Sequence, residues 1–150
     1  MWEKKYRVNS KVNNYSPIIE ININFTDTGT GKSEIKRIIF TGDIEKSGLN
    51  WFYNDYLKKN TKQEVNLFLI SHHGSENGCY INKSKMIYDY FDVKDMFFLS
   101  TRKGSYNGIP DYTVLNKLDK SVYSTDKDGL IFYEYDIINN ILKEHYLDYK

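Results

Sequence analysis

The sequence predicts an α/β fold in which a mixed β-sheet is flanked by helices. Three observations predict it. Ile19, Ile21 and Ile23 alternate with Glu20, Asn22 and Asn24, the period of a half-buried strand. Val65 to Ile70 and Met96 to Leu99 are short continuous apolar runs, the pattern of strands covered on both faces. Leu49, Phe52, Tyr53, Tyr56 and Leu57 fall at i, i+3, i+4, i+7 and i+8, which places them on one face of a helix.

The elements follow in order. Thr28-Gly29-Thr30-Gly31 turns the chain after the first strand, and Ile35 to Phe40 returns beside it as the second arm of a hairpin. Gly42-Asp43 ends that arm. The first helix follows, with Ser47 as its expected N-cap. The strand Val65–Ile70 leads into a loop beginning at His72. Met86, Ile87, Tyr90 and Phe91 mark a second short helix, and Met96 to Leu99 the next buried strand. A loop from Thr101 to Pro110 precedes a third short helix carrying Val114, Leu115 and Leu118. Ser121 to Ser124 and Leu130 to Asp136 read as strands around a turn at Asp126-Lys127-Asp128-Gly129. Ile141 to Tyr146 is a final strand, paired with its predecessor through Asn139-Asn140. No repeat or linker divides residues 1–150, so a single domain is expected.

Composition narrows the function classes. Apolar residues make up 40% of the 150 and aromatics 16%, enough large side chains to build a core and too many for a disordered chain. Lys+Arg 21 against Asp+Glu 20 leaves a net charge of +1, which gives no general attraction to polyanions. The small basic clusters Lys4-Lys5-Arg7 and Arg102-Lys103 read as solvated surface. The lone Cys79 excludes an intrachain disulfide and a cysteine-rich zinc site. No stretch is long or apolar enough to span a bilayer, and the N-terminus lacks the apolar core of a signal peptide. A cytoplasmic protein with no membrane partner is the expectation.

The chemistry concentrates at two strand ends. Ser71-His72-His73-Gly74-Ser75 follows the run Val65–Ile70 and holds two of the chain's three histidines. Asp43 ends the preceding strand in the same way. Side chains from separate strands converge at the carboxyl edge of an α/β sheet, and carboxylate with imidazole is a ligand set that zinc, manganese and iron accept. Taken singly, each motif also has a plain structural reading. Gly-Asp at a strand-to-helix junction serves as a turn and as an anion at a helix N-terminus, and a His-His pair serves as surface. Asp126 to Gly129 looks like a piece of a calcium loop but lacks the remaining ligands, so it reads as a turn. Thr28 to Lys32 resembles a phosphate loop but lies between strands, so it reads as a hairpin loop. Phe52, Tyr53 and Tyr56 read as core packing in preference to a base-stacking platform.

The order strand, Asp, helix, strand, His-His-Gly-Ser, helix, strand resembles the C-terminal half of the metallo-β-lactamase fold, and in particular the hydrolase domain of ComEC/Rec2-type DNA-uptake proteins. The matching pieces are Asn13-Asn14-Tyr15-Ser16, Ile38 to Glu45, Leu67 to Ser75, the loop Ser100 to Pro110, and Tyr123 to Gly129. They cover roughly residues 13 to 136. The resemblance implies half of an αββα sandwich and a chemistry of metal-dependent hydrolysis, with a phosphodiester such as nucleic acid as the substrate class. It places Asp43 at a metal-binding carboxylate position and one histidine of the pair at a ligand position, with His72 favoured over His73. Asn13, Ser16, Ser75 and Lys103 then become supporting or substrate-side groups. The family's two-metal site with zinc or manganese is incomplete here, because nothing in the chain supplies the His-x-His-x-Asp-His motif of the N-terminal half. The loop that commonly reads Tyr-Gly-His-Pro reads Asn107-Gly108-Ile109-Pro110, so Ile109 stands where the family has a histidine. The expectation is therefore a hydrolase-like chain, incomplete or inactive alone, or else a non-catalytic interaction or regulatory module of that descent. Half a sandwich also exposes an apolar sheet face, so a homodimer or a complementary N-terminal half is the expected partner.

Overall fold

The computed structural model describes residues 12–26, 29–102, 107–136 and 141–147. Among these, five strands form one sheet in the order β1 (Ile19–Thr26), β2 (Ser33–Phe40), β3 (Gln63–Leu69), β4 (Phe91–Leu99) and β5 (Val122–Ser124). β1 and β2 are antiparallel over their whole length, while β2, β3, β4 and β5 run parallel. The sheet is thus mixed, and the helices flank it. β6 (Leu130–Asp136) and β7 (Ile141–Leu147) pair separately as an antiparallel ribbon. Thr28 and Asn139-Asn140, expected at two of the turns, lie outside the described residues, but both hairpins form.

The register sorts the apolar side chains onto two faces. Ile39, Phe68 and Phe97 are directly partnered across β2, β3 and β4 and so share a face. They join Ile70 and Leu99 in a buried core closed by Leu49, Leu57, Ile87, Tyr88 and Val114. Phe68 is its centre, with the rings of Tyr88, Phe91 and Phe97 at centroid distances of 5.3, 5.0 and 6.0 Å. Ile21, Ile38, Leu67 and Met96 form the corresponding row on the opposite face. Leu67 and Met96 are buried there, whereas Ile19 and Ile21 are 50% and 42% exposed at the β1 edge.

Four local expectations are corrected. Helix α1 spans Lys46–Asp55 and its N-cap residue is Glu45 rather than Ser47; the Gly48 N–H is instead capped by Asn14 Oδ1 at 3.0 Å. Leu57 falls in a separate 3-10 turn, Leu57–Lys59. The second short helix is reduced to a 3-10 turn, Ile87–Tyr90, because Phe91 already begins β4. The expected turn at Asp126–Gly129 is a single helical turn, Thr125–Asp128, in which Asp128 Oδ2 accepts the Ser124 N–H. One further turn of helix, Tyr112–Leu115, matches the expected third helix but ends before Leu118.

Candidate metal-binding site

The parallel pair β2–β3 is tied together just beneath the residues of interest. Thr41, fully buried, donates its hydroxyl to the Leu69 carbonyl at 2.8 Å. The His72 N–H donates to the Gly42 carbonyl at 3.0 Å. Gly42 has φ +54°, a left-handed conformation that turns Asp43 back over the sheet edge. A Cβ at Gly42 would stand 3.3 Å from the Ser16 Cβ, so Ser16 abuts this turn.

The β3 end is unusual. His72 has φ +46° and ψ +50°, His73 has φ +53° and ψ +26°, and Gly74 follows at φ +77°. Two consecutive non-glycine residues in the left-handed region cost about 1–2 kcal/mol each, so the surroundings must hold them. They do so through four contacts. Besides the His72 N–H bond, the Ser75 N–H donates to the His72 carbonyl at 3.0 Å and the Asp111 N–H to the Gly74 carbonyl at 2.9 Å. The fourth runs from the His73 ring to the Ser100 carbonyl, 2.7 Å from Nδ1. Gly78 makes room for the turn, since a Cβ there would lie 2.5 Å from the His72 Cβ. Ser75 is buried and accepts the Gly78 N–H at 3.1 Å, capping the short helix α2 (Glu76–Cys79). Its hydroxyl is occupied in that cap.

This backbone sends the two imidazoles to different carboxylates. His73 gives its Nδ1 proton to Ser100 and turns Nε2 toward Asp43 Oδ1, 3.5 Å away. His72 turns the other way. Its Nδ1 is buried, carries no hydrogen bond and lies 3.7 Å from Glu45 Oε1, while Asn13 Nδ2 stands 3.4 Å from Nε2 and donates to Glu45 Oε1 at 3.1 Å. The structure thus brings Asn13, Asp43, His72 and His73 to one edge, with Asp43 beside His73 rather than beside the favoured His72. Lys103 lies outside the described residues. Glu45 closes the matching run Ile38 to Glu45, yet the sequence offered no role for it. The available signal was a second acid two positions after Asp43, where an N-cap residue faces the same strand ends.

Both carboxylate–imidazole separations are too long for good hydrogen bonds. They approach the distance of about 3.4 Å between two donors around a tetrahedral zinc with bonds of about 2.0–2.1 Å. The Asp43–His73 pair, at 3.5 Å, is the nearer of the two to that spacing. Among the described residues no group of three His, Cys, Asp or Glu converges to hold one. A catalytic zinc commonly uses three protein donors. The loop bearing Ile109 closes on the same edge: Pro110, after a cis Ile109–Pro110 bond, would meet a Cβ at Gly74 at 3.1 Å.

Comparison with known proteins finds no match among family descriptions, curated proteins or solved structures. No described helix is long and apolar enough to cross a membrane.

Proposed function

We propose that this chain is a hydrolase-like protein of the metallo-β-lactamase type in which Asp43 and His73 hold one divalent ion, zinc or manganese. The observation that carries the reading is the His73 ring. Its Nδ1 is fixed on the Ser100 carbonyl while Nε2 faces a carboxylate across 3.5 Å. A metal-ligating histidine commonly donates its second ring N–H to a backbone carbonyl in this manner, which sets the tautomer and aims the lone pair. Nε2 and the Asp43 carboxylate then stand together on one gap of 3.5 Å, where a neutral imidazole and a carboxylate would both offer lone pairs to a cation. The left-handed backbone supports the same reading, since strain of this kind gathers at functional sites.

An ion bound there would lower the pKa of water and stabilise charge on an attacked phosphoryl group. The chain's own residues would orient the ion: Ser100 through His73, and the Thr41 and Gly42 contacts through the strand end. Full hydrolysis of a phosphodiester then needs donors from a complementary chain. A second reading, a non-catalytic interaction module, is favoured by Ile109 in the loop against the site, where the resemblance calls for a histidine.

The test is metal content after dialysis against zinc or manganese, by elemental mass spectrometry, on the intact chain and on Asp43→Ala, His73→Ala and His72→Ala. The expected result is near-stoichiometric ion that is lost in the first two variants and retained in the third. No ion in the parent chain, or equal retention in all variants, would remove the metal reading.

A further inference from the structure

β1 ends the sheet, and no described strand pairs with its outer edge. One side of the strand is bonded to β2 from Ile19 to Thr26 without a bulge, so alternate N–H and C=O groups of the other side face outward along its length. Natural edges of this length are usually blunted by lysine, proline or a bulge. β1 has none of these: it reads Ile-Glu-Ile-Asn-Ile-Asn-Phe-Thr, and its one charge, Glu20, is bonded to Arg37 at 3.0 Å and to the Asn22 amide at 2.9 Å. Ile19 and Ile21 stand half-exposed on the face away from the helices.

We propose that β1 is a homodimer interface, in which the edge strands of two copies pair antiparallel about a twofold axis at Asn22 and join the two sheets into one. The partner is chosen by self-complementarity. Directly opposed residues of an antiparallel pair share a face. With Asn22 opposite itself, Ile21 meets Ile23 of the second copy and Glu20 meets Asn24, so apolar faces apolar, polar faces polar, and no like charges oppose. A slip of one residue sets isoleucine against asparagine and turns the apolar row to the wrong face. A longer slip toward Ile19 sets Glu20 against Glu20. The register centred on Ile23 leaves half-exposed Ile19 unpaired; that centred on Ile21 covers both exposed isoleucines but pairs only Ile19 to Ile23, whereas that centred on Asn22 covers both and pairs the strand from Ile19 to Phe25. A twofold pairing closes on itself and leaves no edge for further growth at β1. The proposal is independent of the metal reading and stands or falls without it.

The experiment combines sedimentation equilibrium of the full chain with an Asn22→Cys variant. Opposed residues in an antiparallel pair lie about 4.5–5.5 Å apart at Cα, inside the disulfide range, and the native Cys79 is fully buried. The expected result is a dimer at micromolar concentration, with Asn22→Cys converted to a disulfide-linked dimer under mild oxidation. Ile21→Lys should sediment as a monomer that still unfolds cooperatively. A monomeric parent chain overturns the proposal. So does a dimer whose Asn22→Cys variant fails to cross-link, because that dimer uses another surface or another register. The cross-link remains decisive if Ile21→Lys fails to fold.

Discussion

Replacing each histidine of the left-handed turn by alanine and, separately, by glycine isolates the strain from the chemistry. The two variants both lack the imidazole and differ by one Cβ. At an ordinary position glycine is the less stable by about 0.5–1 kcal/mol, because it loses more backbone freedom on folding. At φ +46° and +53° the order should invert. Alanine keeps the left-handed cost of about 1–2 kcal/mol, and glycine does not. The difference leaves glycine ahead by roughly 0.5–1 kcal/mol at each position once its entropy is subtracted. For a urea slope of about 1–3 kcal/mol per molar, that is a midpoint shift of roughly 0.2–1 M. Asparagine, which tolerates this region better than most residues, should fall between the two.

The assay is urea unfolding of His72→Ala, His72→Gly, His73→Ala and His73→Gly, followed by metal uptake of the same four. His73→Gly should approach the parent in stability, since release of strain offsets loss of the Ser100 hydrogen bond, worth about 0.5–1.5 kcal/mol. It should nonetheless bind no ion. That combination, a histidine held at a cost to folding and needed only for binding, separates a functional residue from a structural one. Alanine matching or exceeding glycine at both positions would refute the strain argument.

Other outcomes follow from the packing and the titrating groups. Gly78→Ala should cost about 1–3 kcal/mol and displace His72, because its Cβ would meet the His72 Cβ at 2.5 Å and the Ser71 carbonyl oxygen at 3.0 Å; thermal melts and the His72 ring shifts in NMR check it. Phe68→Ala should cost about 3–5 kcal/mol, read by urea unfolding, since three aromatic rings pack on a side chain with no exposed surface. Burial pushes the Cys79 thiol up to about 12, so at pH 8 an aromatic disulfide reagent should react with it only as fast as the chain opens, and at the normal thiol rate in denaturant. Hydrogen bonds from Thr113 hold the Asp111 carboxyl below its usual range. A depressed carboxyl stabilises the fold above its unfolded pKa and loses that contribution as pH falls through its folded value. The gap in urea midpoint between the parent and Asp111→Asn should therefore be full above about pH 4 and close on further acidification.

The parts of the fold that were legible are those whose signal is local. Alternation at Ile19, Ile21 and Ile23 and the apolar run at Val65–Ile70 gave strands, since strand pattern is read from neighbours two positions apart. Helix boundaries were less legible where the deciding partner is remote. Ser47 is the nearest capping residue in sequence, but the α1 N–H group is capped by Asn14, from a turn that only the folded chain brings there. The start of β4 was missed because Met86, Ile87, Tyr90 and Phe91 fall at i, i+1, i+4 and i+5, the spacing of successive helical turns, whereas Phe91 and Val93 alternate with Asp92 as a strand.

At the site, the chemical types were legible and their pairing was not. That Asp43 and the two histidines meet at one sheet edge follows from their places at strand ends. Which imidazole faces which acid depends on the sign of φ at His72 and His73, and no local rule gives two histidines positive φ. The contacts that impose it come from Gly42, Ser100 and Asp111, in three different segments. The same geometry determines what each histidine can do. Asn13 stands against the Nε2 of His72, so an ion at that atom would have to displace an amide that also bonds Glu45. The corresponding atom of His73 faces a carboxylate across a gap of ion-ligand size. Asn13→Ala should therefore leave uptake at Asp43–His73 unchanged. Any ion gained by that variant would have to be held by His72, and adding His72→Ala should abolish the gain.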